Sequence, residues 1–165
     1  VSEQRTLLWI RLCIGIMILG LVVSGITAFP LRVELGIGSD ILHAGPAVDW
    51  FPDAVAWVDR VAAALVDIDE RYPFISYATD WLAYAHLVIA LVFIGPLIDP
   101  VRNIWVIQFG VIACAGIIPL ALIAGGIRGI PLGWQLIDMS FGVLGVIPLL
   151  IAWRLTARLE RMRAA

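Results

Sequence analysis

The chain has 165 residues, 62% of them hydrophobic, with a mean hydropathy of +1.00 and a formal net charge of -2. A soluble domain sits near 45–50% apolar, about what one core can bury, so lipid must solvate part of this chain. The eleven basic residues are all Arg, and none clusters into a patch suited to nucleic acid.

Four apolar segments run over residues 7–29, 78–98, 104–125 and 134–153. Each holds close to the ~20 apolar residues that a helix needs to cross a bilayer. The pattern predicts an all-α, four-helix transmembrane bundle forming a single integral membrane domain over residues 1–165. The first segment is too long for a leader's apolar run and lacks a small-x-small cleavage site, so it reads as a retained helix. Within it Gly20, Ser24 and Ala28 recur every four residues, a face that would let another helix approach closely. Pro30 should end it.

Residues 30–80 form the one sizeable polar region, with nine acids against three arginines. Gly36–Ser39 and Ala44–Pro46 read as turns. Pro52-Asp53 should start a helix that lasts to about Glu70. Val55, Val58, Ala62 and Leu65 form one stripe of it, and Asp59, Asp67 and Glu70 lie on the other side. This predicts an amphipathic helix between the first and second spans, packed on protein rather than on anionic lipid. Tyr72-Pro73 should break it.

In the second span Pro96 falls in the last turn. Asp99-Pro100 supplies a cap and a first helical residue for the third. That span carries a central Pro119, expected to kink it, and ends at Gly125-Gly126. A short, apolar, Gly-rich loop follows, with Arg128 as its one charge. The fourth span leads into a tail bearing Arg154, Arg158, Arg161 and Arg163. Four spans put both termini on one side. That side would hold seven arginines in short segments, and the other four, three of them in a longer, acidic stretch and Arg128 in the Gly-rich loop. The positive-inside rule then places both termini in the cytoplasm, in the cell membrane, with residues 30–77 outside.

With that topology six polar residues gather near the outer ends of the spans: Asp80, Tyr84, His86, Arg128, Gln135 and Asp138. Asp80 and Tyr84 share a helix face. His86 points about 120° away from Asp80 at 100° per residue. Asp138 carries the most information, because a carboxylate inside a membrane helix costs a few kcal/mol or more unless partnered. Arg128 is the expected partner. These six residues are the candidate ligand-binding set, and an Arg128–Asp138 ion pair pinning the loop is the purely structural alternative.

Other chemistry finds little support. Cys13 and Cys114 lie inside apolar segments, and no CxxC occurs. Asp40 and His43, with Glu34 and Asp49 nearby, match no specific metal spacing. Bis-His haem ligation needs facing helical histidines, and only His86 lies in a predicted helix. No phosphate loop, GxSxG or HExxH is present. The sequence therefore assigns no cofactor and no reaction. It favours a small non-catalytic membrane subunit or a ligand- or lipid-binding protein. Its partners would be membrane lipid, other membrane subunits or further copies of itself. The alternative is a membrane-embedded enzyme or redox subunit, haem- or metal-bearing, that works through His86, Asp138 and Arg128.

Overall fold

The computed structural model describes residues 2–164, and among them every regular element is a helix. The helices are α1 (Glu3–Ala28), α2 (Leu31–Ala44), α3 (Ala47–Trp50), α4 (Pro52–Arg71), α5 (Pro73–Val92), α6 (Ile94–Ile98), α7 (Ile104–Ile127) and α8 (Leu132–Ala164). Four stretches are long and apolar enough to cross a membrane: α1, α5 with α6 (Pro73–Ile98), α7 and α8. Large apolar side chains along them stay exposed, including Ile112, Leu120, Ile123 and Leu144. Apolar surface on this scale is foreign to a soluble monomer. Two compact units divide the chain. One joins residues up to Leu21 with those from Val88 onward; the other is Val22–Leu87.

The core of the first unit draws on all four apolar stretches. Ile10 and Ile14 of α1, Phe93 at the α5–α6 corner, Ile107 of α7 and Leu149 of α8 are completely buried. Cys13 and Cys114 are buried in the same core and are not bonded to each other. Glycines set how closely α7 and α8 approach. A Cβ on Gly142 would lie 2.5 Å from the Cys114 carbonyl oxygen, and one on Gly110 2.7 Å from Phe93 and 2.8 Å from Leu149. Where lipid competes equally for apolar side chains, such close backbone packing is a main source of helix association.

Several local features depart from the sequence expectations. The second span starts at Pro73 rather than at residue 78, and it breaks at Phe93. Pro96 causes the break: it has no N–H for the Val92 carbonyl, and its ring clashes with that group. Asp99 does not cap α7. Its Oδ1 accepts the Arg102 N–H at 3.2 Å, closing a single turn before α7 begins at Ile104. Asn103 Nδ2 donates to the Gly95 and Asp99 carbonyls, and Arg11 Nε donates to that of Leu97. Carbonyls that α6 leaves open at its end are thereby satisfied. Helix α7 continues through Pro119. Helix α8 absorbs the expected tail and is helical to Ala164. Arg163 Nε near its end lies 2.8 Å from the Glu3 carboxylate of α1.

In the second unit the largest correction is α2. Gly36–Ser39 is helix, not turn, whereas Gly45-Pro46 does form the predicted turn. Leu31, Leu35, Ser39 and Leu42 lie on the less exposed side of α2, and Val33, Ile37 and Ile41 stand exposed on another. Two helical glycines cost about 1 kcal/mol each relative to alanine. Contacts with α4 offset that cost. Ser39 Oγ donates to Asp59 at 2.6 Å, and Arg32 lies 3.5 Å from Asp69. Helix α4 spans the predicted residues and buries Val55 and Val58. At its far end the Asp69 carboxylate also accepts the Ser76 hydroxyl, which joins α4 to the first turn of α5. Helix α1 meets α5 through Gly25, where a Cβ would lie 2.9 Å from both the Ala83 carbonyl oxygen and the Leu87 side chain. The expected small-residue face is a different one. Gly20 and Ser24 are exposed, with nothing within 4 Å of a Cβ built on Gly20.

Candidate functional site

The six candidate residues fall into two groups, one in each unit. Arg128, Gln135 and Asp138 flank the α7–α8 turn, and Asp80, Tyr84 and His86 lie on α5.

The α7–α8 turn is built to hold its shape. Helix α7 ends two residues later than the sequence suggested, and Gly129 takes the left-handed conformation at φ 66°. The Ile130 N–H bonds the Gly125 carbonyl at 2.9 Å, and the Gly129 N–H bonds that of Gly126 at 3.4 Å. This is a Schellman closure, which needs a residue free to adopt positive φ. Gln135 braces it from α8: the side chain is buried, and Nε2 donates to the Ile130 carbonyl at 2.7 Å. Gly125 makes the room, since a Cβ there would sit 2.7 Å from Gln135 Cδ.

Beside this turn lies a cavity of about 290 Å³. Ile117, Leu120, Ala121 and Ala124 of α7 give it an apolar floor, and Arg128 and Asp138 supply its charges. Asp138 is half-buried and Arg128 exposed. The two line one cavity but do not pair: among the described residues, the ion pairs within 4.0 Å include neither. No hydrogen bond within the described residues engages either side chain. Both charges therefore remain free for something that enters the cavity.

On α5, Asp80 and Tyr84 line one cleft of about 420 Å³, as their shared face predicted. Tyr77 and Trp81 of the same helix and Phe29, just beyond α1, complete the wall. His86 is not among the residues lining this cleft. Its Nδ1 lies 2.8 Å from the Leu82 carbonyl, which can only accept, so Nδ1 carries a hydrogen and Nε2 is left free. Residues 77, 80, 81 and 84 follow the i, i+3, i+4, i+7 spacing of one helix face. That spacing was visible in the sequence. The contribution of Phe29 was not, because it depends on the Gly25 contact.

His43 finds its carboxylate on α4 rather than among its sequence neighbours. Its Nε2 lies 2.9 Å from Asp59, whose other oxygen accepts from Ser39. Hydrogen bonds from Ser39 first and His43 second hold the Asp59 carboxyl below its ordinary value. The carboxylate sits between serine and histidine, so the imidazole is not placed to take the serine proton as a nucleophilic triad requires. Among the described residues no three His, Cys, Asp or Glu side chains gather as metal ligands would.

The chain's class follows from its own geometry: an all-helical protein with four helices fit to cross a membrane. In comparison with known proteins, no family model, no curated protein and no solved structure matches the chain.

Proposed function

We propose that this is a multi-pass protein of the cell membrane whose role is to bind rather than to catalyse. Both termini lie in the cytoplasm, and residues 30–77, including an amphipathic α4, lie outside. The arginine distribution supports this orientation, with seven in the short segments of one side and four on the other, three of them in its acidic stretch and Arg128 in the α7–α8 turn. The bound species is an amphiphile, such as a lipid, held in the α7–α8 cavity near the outer face. Its apolar part lies on α7, and its polar head engages Arg128 and Asp138.

The observation that carries the reading is the pair of unspent charges above an apolar floor. A half-buried carboxylate in a membrane helix is costly, and such residues usually face a protein group, water or a ligand. Arg128 lines the same cavity without pairing to Asp138, so a head group with both signs of charge would satisfy both.

The test is native mass spectrometry of the purified protein from lipid nanodiscs. The intact chain should retain amphiphile through detergent exchange, and Asp138→Asn and Arg128→Gln should each lower retention severalfold. Equal retention in all three proteins refutes the cavity as the binding site. A carboxy-terminal reporter accessible only from outside the cell refutes the orientation.

A further inference from the structure

We infer that the α5 cleft, walled by Phe29, Tyr77, Trp81 and Tyr84 and bearing Asp80, is a binding site for a quaternary ammonium group. The inference goes beyond the reading above, because it concerns other residues and would stand if the α7–α8 cavity held nothing.

The first support is register. Tyr77, Trp81 and Tyr84 line one face of α5, and Asp80 falls within the same stripe. The second is ring geometry. Tyr77 and Trp81 meet at 5.9 Å and 82°, and Trp81 and Tyr84 at 6.2 Å and 87°. An edge-to-face contact occupies a face of at most one ring of the pair, so Tyr77 and Tyr84 each keep at least one face clear of Trp81. The third is the wall from outside the helix. Gly25 draws α1 against α5 at Ala83 and Leu87, and Phe29 follows one turn later.

The charge of the guest follows from two groups of the same sense. Asp80 is half-buried and makes no hydrogen bond or ion pair among the described residues. Aromatic faces carry negative potential and attract cations lying within about 6 Å of the ring centre. No basic residue lines the cleft. Carboxylate and rings together repel anions and favour a cation over a neutral guest of the same shape. A quaternary ammonium fits best, because it is weakly hydrated and needs no hydrogen-bond acceptor for each of its substituents. Residues of an interfacial aromatic belt need neither a carboxylate in their stripe nor a ring from a second segment. The cleft volume of about 420 Å³ is that of a small-molecule site. A choline head group of a phospholipid and a free quaternary cation offer the same chemistry.

The experiment uses the full chain in an uncharged maltoside detergent and in nanodiscs. Choline and tetramethylammonium chloride are titrated by calorimetry against sodium chloride at matched ionic strength. In parallel, native mass spectrometry compares retained phosphatidylcholine with retained phosphatidylglycerol. The wild type should bind choline or retain phosphatidylcholine selectively, and Trp81→Leu and Asp80→Asn should each weaken that by about tenfold or more. Tyr84→Phe keeps the ring and should change little. Asp80→Asn is nearly isosteric, so it keeps the test valid if Trp81→Leu fails to fold. Binding of free choline assigns the site to a soluble cation; retention of phosphatidylcholine alone assigns it to a lipid head group. Either supports the inference. No choline binding together with equal retention of the two lipids, or an Asp80→Asn protein that binds like wild type, overturns it and leaves the rings as an interfacial belt only.

Discussion

Replacing Gly142 with alanine should weaken the α7–α8 contact, and the structure sets the size of the effect. The added Cβ would stand 2.5 Å from the Cys114 carbonyl oxygen and 3.2 Å from Ile117 Cβ. Ordinary contact begins at 3.4 Å, so the helices must part by up to 0.9 Å, the difference between 3.4 and 2.5. The obstructing atom belongs to backbone and cannot swing aside. Overpacking of this kind costs about 1–3 kcal/mol. The same substitution also brings the intrinsic helix preference of alanine over glycine, about 1 kcal/mol in water. Gly116→Ala separates the two effects, because Gly116 lies on α7 with nothing within 4 Å of its Cβ position. The propensity gain is common to both variants, so the difference between them isolates the clash. Equilibrium unfolding in mixed micelles should place Gly142→Ala about 1–3 kcal/mol below Gly116→Ala. Agreement within about 0.5 kcal/mol would show that the helices do not touch at Gly142, and the packing argument would fail.

Three further outcomes follow. Thr156 Oγ1 is buried without a hydrogen-bond partner, so Thr156→Val should be neutral or stabilising by about 1 kcal/mol in the same unfolding assay; a clear loss would mean that the hydroxyl has a partner. Gly129→Ala places a side chain at φ 66° and should cost about 1–2 kcal/mol, with Gly129→Asn recovering much of it; equal stability of all three proteins would refute the Schellman turn. Asp59 has a folded pKa below its ordinary 3.8, so its contribution to the α2–α4 pairing is complete above that value and is lost as pH falls through the lower folded one. The carbon-13 shift of its carboxyl should titrate below 3.8, and a midpoint at or above 3.8 would exclude the bonds to Ser39 and His43.

What was legible in the sequence was whatever hydropathy and local spacing encode. The four apolar stretches appear where their runs predicted, as does α4 between Pro52 and the Tyr72-Pro73 break. Helix α2 was not legible, because Gly36 and Gly38 carry a local turn preference that the pairing with α4 overrides. The end of α7 was misplaced for a related reason: Gly125 and Gly126 serve close packing and the turn's hydrogen bonds, while the terminating glycine is Gly129. Of the candidate site, the shared face of Asp80 and Tyr84 could be read from spacing, and so could the neighbouring Tyr77 and Trp81. The relation of Arg128 to Asp138 could not. It depends on how a loop orients one long side chain, and the two share a cavity without pairing. Asp59 was invisible as the partner of His43, since the two meet only when α2 folds back on α4.

The helical course of α8 changes what its arginines can do. In a flexible tail, Arg154, Arg158 and Arg161 would sample all directions, and their charges would act as a diffuse cloud. On α8 they occur at i, i+4 and i+7, all exposed, while Ala152, Thr156 and Leu159 are buried on the opposite side. At 1.5 Å per residue their Cα atoms span about 10 Å along one line. Arg161 is further tethered by its Nε bond to the Ala157 carbonyl. The result is a directional comb of positive charge, whose potential is strong broadside and weak end-on.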